Sequence, residues 1–123
     1  MGSAAIEMNG ERRTEVRLLC SQLIRVESED DSGRRHNATA VLEDISTRGA
    51  CLHLEAPLAP GRAVHIRHAS GQLPGIVRYC VWRQIGYFAG VEFDQTTRWR
   101  REQFEPEHLF DPQELLRRPE TIG

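Results

Sequence analysis

The chain contains no lysine: all sixteen of its positive residues are arginine. That absence excludes Schiff-base chemistry, a P-loop lysine and a lysine general base, and it leaves the cation whose planar fork fits phosphate and guanine. No apolar run approaches the roughly 20 residues that a membrane-spanning helix needs, and the first residues lack the charged-then-apolar layout of a signal peptide. The expected location is therefore cytoplasmic. Cysteine is scarce and odd in number, and Cys20, Cys51 and Cys80 are widely spaced within strand-like runs, which reads as core-filling thiols rather than disulfides or metal ligands. His65 and His68 are three apart, which on a strand points them to opposite faces, so they make no metal pair. A serine-hydrolase elbow, a glycine-rich phosphate loop and a two-cysteine redox motif are all missing. Neither catalysis nor a cofactor is expected. The net charge of −2 supplies no basic field to draw the chain onto DNA or RNA.

At 123 residues, 39% hydrophobic and 28% charged, the chain has the balance of one small globular domain with a single core. Short alternating runs predict six strands. The first covers Val16 to Val26, where the apolar positions change parity and imply a bulge or a frayed start. Thr39 to Ile45 is the second, with Thr39, Val41 and Ile45 on one side and Ala40 and Leu42 on the other. Ala50 to Leu54 alternates cleanly as the third, and Val64 and Ile66 mark a fourth that ends at the Ser70-Gly71 turn. Ile76 to Arg83 and Tyr87 to Phe93 form the last two, across a short Gln84 to Gly86 connection. The acidic stretch from Glu27 to Gly33 lacks calcium-loop spacing and reads as a solvated hairpin loop. Six antiparallel strands with short turns and no helices between them fit a small all-β barrel. After Phe93 the composition turns helical, and Asp111-Pro112-Gln113-Glu114 has the form of a helix start. Residues 95 to 118 are expected to form a two-helix appendage docked through Trp99, Phe104, Leu109, Phe110 and Leu115. The division predicted is a flexible tail over 1–10, a barrel domain with its arm over 11–93, and the helical appendage over 94–123.

Two short patterns lie in this frame. Arg13 and Arg17 are four apart in the arm Glu11-Arg12-Arg13-Thr14-Glu15-Val16-Arg17, which has almost no apolar content of its own. About thirty residues on, Asp44-Ile45-Ser46-Thr47-Arg48-Gly49 connects the second and third strands. Asp suits the start of such a turn because its carboxylate can bond backbone N–H groups two residues on, and Gly suits the end because it tolerates positive φ. As a turn alone, the stretch leaves Ser46 a surface hydroxyl. The ordered pair, R-x-x-x-R and then D-x-S-x-x-G, with Gly90-Val91-Glu92-Phe93 closing the last strand, resembles the PilZ domain, the bacterial receptor module for cyclic di-GMP. The resemblance spans residues 11 to 93, and no motif position is substituted.

The resemblance implies a six-stranded antiparallel PilZ-like barrel and a cyclic di-GMP site made of Arg12, Arg13, Arg17, Asp44, Ser46 and Gly49. Guanine presents two acceptors on one edge and N–H donors on the other, so arginine answers the first edge and the phosphates, and a carboxylate answers the second. Arg13 and Arg17 would take guanine or phosphate, Asp44 the Watson–Crick edge, and Ser46 phosphate or base. Gly49 would let the backbone approach, and Arg12 could stack on a purine face. Tyr79 and Trp82, on opposite faces of the fifth strand, are each either a stacking platform for the second base or ordinary barrel packing. The function implied is a receptor that transmits the second-messenger signal by ordering its arm and altering a surface shown to a protein partner. The alternatives are a PilZ-like interaction module that binds its partner regardless of nucleotide and, less favoured by the acidic balance, an oligonucleotide-binding barrel.

Overall fold

The alternation of apolar and polar residues folds into six strands in a computed structural model that describes residues 16–116. They are β1 (Leu18–Glu29), β2 (Arg35–Ile45), β3 (Gly49–Leu54), β4 (Ala63–His68), β5 (Gly71–Arg83) and β6 (Gly86–Phe93). Every neighbouring pair is antiparallel. The order is β1-β2-β3-β6-β5-β4, and β4 returns to β1 through Arg25↔Arg67 and Val26↔Ile66, so the sheet closes into a barrel with no free edge. The inward residues Leu42, Ile45, Leu52, Val64, Ile66, Val77 and Ala89 are fully buried and form the centre of the core. Truncating one of the large ones, such as Leu52, to alanine would cost about 2 to 5 kcal/mol.

Three strands carry a bulge at one level of the barrel. Register shifts fall between Leu19 and Gln22 in β1, between Leu42 and Asp44 in β2, and between Val77 and Tyr79 in β5. A bulge inserts one residue and so reverses the parity of everything after it. This is why Ile45 faces the core beside Ala40 and Leu42, and not outward with Thr39 and Val41 as plain alternation places it. In β5 the extra residue sends both Arg78 and Tyr79 to the exposed side.

The two ends of the barrel are closed differently. At one end the β3–β4 connection crosses the opening, Leu58 packs against the core, and Leu58 N–H donates to Cys80 Sγ at 3.4 Å. At the other end the segment after β6 lies across the opening with Trp99 buried in the core, and Phe104 and Leu109 half-buried against it. The Trp99 indole N–H donates to the Phe104 carbonyl at 2.7 Å, the Phe104 ring stacks on His68 at 4.1 Å, and Phe110 bridges to Leu19 in β1.

This segment corrects the expected pair of helices. Residues 95–112 run as turns and extended chain, because their backbone groups bond outward to the barrel: Trp99 N–H to Thr47 O, Ser21 N–H to Glu107 O, and Ser70 Oγ to Gln103 O. The helix start at Asp111 does form, with Gln113 N–H donating to Asp111 Oδ1 at 2.9 Å, and it opens a single turn, α1 (Gln113–Leu116). The docking residues Trp99, Phe104 and Leu109 were legible from the sequence, while the helical composition misled; the Leu115 side chain lies outside what the structure describes. Among the described residues no helix is long and apolar enough to cross a membrane.

Candidate functional site

The bulges set up the site. Because β1 and β2 are offset at the same level, Leu19 pairs with Asp44, and Arg17, just before the first strand, comes alongside the end of the second. Arg17 Nη1 donates to Asp44 Oδ1 at 2.5 Å across a separation of 27 residues. The guanidinium is mostly exposed and the carboxylate mostly covered, so the cation is held on the barrel surface by an acceptor anchored in the sheet.

The loop after Asp44 is fixed from every side. Ser46 is 2% exposed; its hydroxyl donates to the Gly49 carbonyl at 3.4 Å and accepts from Arg48 N–H at 3.3 Å. It is thus a buried brace of the turn and not the surface hydroxyl that the turn alone suggests. Phe93 N–H donates to Arg48 O at 2.7 Å and Trp99 N–H to Thr47 O at 3.1 Å, so β6 and the C-terminal segment clamp the same loop. Gly49 does not have the positive φ that its place in the turn suggested. It is needed for a different reason: a β-carbon there would stand 2.5 Å from the Val91 carbonyl oxygen, inside the β3–β6 ladder.

Beside the loop lies a shallow depression of about 230 Å³, open to solvent and lined by Arg17, Arg48, Arg78, Tyr79, Gly49 and Glu92, with Ser46 at its wall. Tyr79 reaches it by lying flat. Its ring crosses Gly90, on the place a β-carbon would occupy, toward Cys51 on β3, which pairs with Gly90. Burial pushes the Tyr79 hydroxyl above its ordinary pKa, with Cys51 adding to the effect, so the ring is neutral at physiological pH. Burial likewise raises Cys51, and it drives Cys20 up to about 12, with Asp44 and Glu43 contributing. Neither thiol is activated.

Of the residues singled out from the sequence, the structure thus brings Arg17, Asp44, Ser46, Gly49 and Tyr79 together. Trp82 stands elsewhere, at the opposite end of the barrel, packed edge-on against Tyr87 at 5.0 Å. Arg12 and Arg13 lie outside the described residues. Sequence reasoning missed Arg48, Arg78 and Glu92. Arg48 was legible as a motif-interior arginine and Arg78 as an outward position of β5, but the approach of Tyr79 to Arg78 depends on an unmarked bulge. A larger hollow of about 880 Å³ lies at the far end of the barrel, but its charges are already matched, Arg67 with Glu27 and Arg62 with Asp31. Among the described residues no cluster of His, Cys, Asp and Glu could hold a metal ion.

The profile of the PilZ domain matches residues 11–105, most of the chain. The chain belongs to the PilZ domain family. The match takes in the barrel, both motifs and the first part of the C-terminal segment, including Trp99. No curated protein matches the chain. PilZ domains are a family of cyclic di-GMP-binding modules, receptors and not enzymes, and the paired Arg17 and Asp44 are one residue from each of the two PilZ motifs.

Proposed function

We propose that this PilZ domain binds cyclic di-GMP in the depression beside Asp44 and passes the signal to a protein partner. The observation that carries the reading is the 2.5 Å contact between Arg17 and Asp44, which joins the two motifs on one surface next to an exposed ring. Arg17, with Arg12 and Arg13 from the preceding arm, supplies forks for guanine edges and phosphates, and Asp44 accepts from a guanine Watson–Crick edge. Tyr79 is the stacking platform. Ser46 and Gly49 act by shaping the loop, the first by bracing it and the second by admitting β6.

The signal arises if the ligand binds better with the arm closed over it, since a ligand shifts only an equilibrium for which it has differential affinity. Hydrogen exchange over residues 8–15 tests this: it should slow markedly with saturating cyclic di-GMP while the strands hardly change. Equal exchange with and without the nucleotide would contradict an arm-ordering mechanism.

A second reading, a partner-binding module, is favoured by one observation. Leu23, Val41, His53, Phe88 and Val81 are successive register partners across five strands on the outer surface, and Leu23 and Val81 are exposed. Partner capture that is equal with and without nucleotide would favour that reading.

A further inference from the structure

The depression is lined by three arginines and one carboxylate, and that carboxylate is already engaged: Arg78 Nε donates to Glu92 Oε1 at 2.5 Å. The arrangement follows from the sheet. Glu92 pairs with Gly49 on one side, which has no side chain to cover it, and with Ile76 on the other. Arg78 is two residues on from Ile76 and so points to the same face, and the β5 bulge turns Tyr79 out beside it. Both groups are more than half exposed, so the pair contributes little to folding. Its effect on an anionic ligand is larger, because the carboxylate both holds the fork of Arg78 and repels phosphate at short range.

We propose that Glu92 is a brake on the affinity of this site: it occupies Arg78, and a phosphate of the ligand must displace it to gain that arginine. The inference rests on the cyclic di-GMP reading and deepens it by adding Arg78 as a phosphate contact and Glu92 as the residue that sets how tightly the site holds a dianion. A phosphodiester, which carries a full negative charge and fits the guanidinium fork, competes for Arg78, and a neutral ligand does not.

The test is calorimetric titration of the full chain with cyclic di-GMP, using wild type, Glu92→Gln, Arg78→Ala and the double variant, each checked for folding by circular dichroism. Glu92→Gln should bind about three- to tenfold more tightly, and Arg78→Ala about tenfold more weakly. The gain from Glu92→Gln should shrink in the Arg78→Ala background to the part due to relieved repulsion alone, a coupling that a merely structural effect of either residue would not produce. If wild type binds and Glu92→Gln is unchanged, the brake is overturned while the nucleotide reading stands. If Glu92→Gln binds more weakly, Glu92 holds the ligand itself, which also overturns the brake. Flat titrations for all four proteins overturn both.

Discussion

The ring of Tyr79 lies over Gly90, and no other residue type at position 90 would leave room for it there. Gly90 belongs to the closing strand, where its sequence context marks it as part of a strand end; the structure gives it a second role as the floor beneath an aromatic side chain. Two more relationships complete the surface. Cys51 pairs with both Gly90 and Asp44, so the ring, the thiol and the carboxylate succeed one another across neighbouring strands. The platform is therefore built into the register of the barrel.

Gly90→Ala should displace the ring without unfolding the protein, because the atoms it meets belong to a half-exposed side chain that can swing toward solvent. Affinity for cyclic di-GMP should fall as far as in Tyr79→Ala, by about 1 to 3 kcal/mol for a lost base stack. The double variant should be no worse than either. A Gly90→Ala protein that binds like wild type would show that the ring is not a platform.

Gly49→Ala and Ser46→Ala should instead show themselves in stability. At position 49 the new methyl meets a backbone carbonyl, which cannot swing away, so the β3–β6 ladder must shift at a cost of about 1 to 3 kcal/mol. Removing the Ser46 hydroxyl takes away the acceptor for Arg48 N–H, again for about 1 to 3 kcal/mol. Urea denaturation would measure both. An unchanged midpoint for Ser46→Ala would contradict its role as a brace of the loop.

Alkaline pH should weaken the fold through Cys20. Its thiol is pushed from an ordinary 9.0 up to about 12, chiefly by burial, so between these values the unfolded chain has lost a proton that the folded chain keeps. The contribution is complete below pH 9.0 and is lost as pH rises through the folded value near 12. Stability by urea denaturation should accordingly decline above about pH 9, less steeply in Cys20→Ala, and iodoacetamide at pH 8 should modify Cys20 only on unfolding. Rapid modification of Cys20 in the folded protein would contradict its burial.

The barrel was legible because closed antiparallel sheets write a period of two into the chain, and the two motifs were legible because each is local. What periodicity could not give were the bulges, since an inserted residue reverses parity without a compositional mark. Ile45 was misplaced for that reason, and the place of Tyr79 beside Arg78 was hidden by it. The start of β5 was also hidden, because Pro74 donates no ladder hydrogen bond, yet its carbonyl is free to accept from Asp94 N–H at 3.0 Å. The C-terminal segment has helical composition, but the barrel offers its backbone better partners than a helix of its own, as Trp99 N–H to Thr47 O illustrates. The contact between Arg17 and Asp44 needed both the register of β1 on β2 and the offset at Leu19, neither of which one sequence discloses.

The central claim is that the joined motifs form a cyclic di-GMP site, and calorimetric titration of wild type and Arg17→Ala with cyclic di-GMP, with GTP as the control, tests it most directly. Wild type should bind cyclic di-GMP in preference to GTP, more weakly as salt is raised. Arg17→Ala should lose about 1 to 3 kcal/mol of affinity, the range for a good bidentate contact, while its stability changes by no more than about 1 kcal/mol, as befits an ion pair whose arginine is largely exposed. A flat wild-type titration, or an Arg17→Ala protein that stays folded and binds as wild type does, would contradict it.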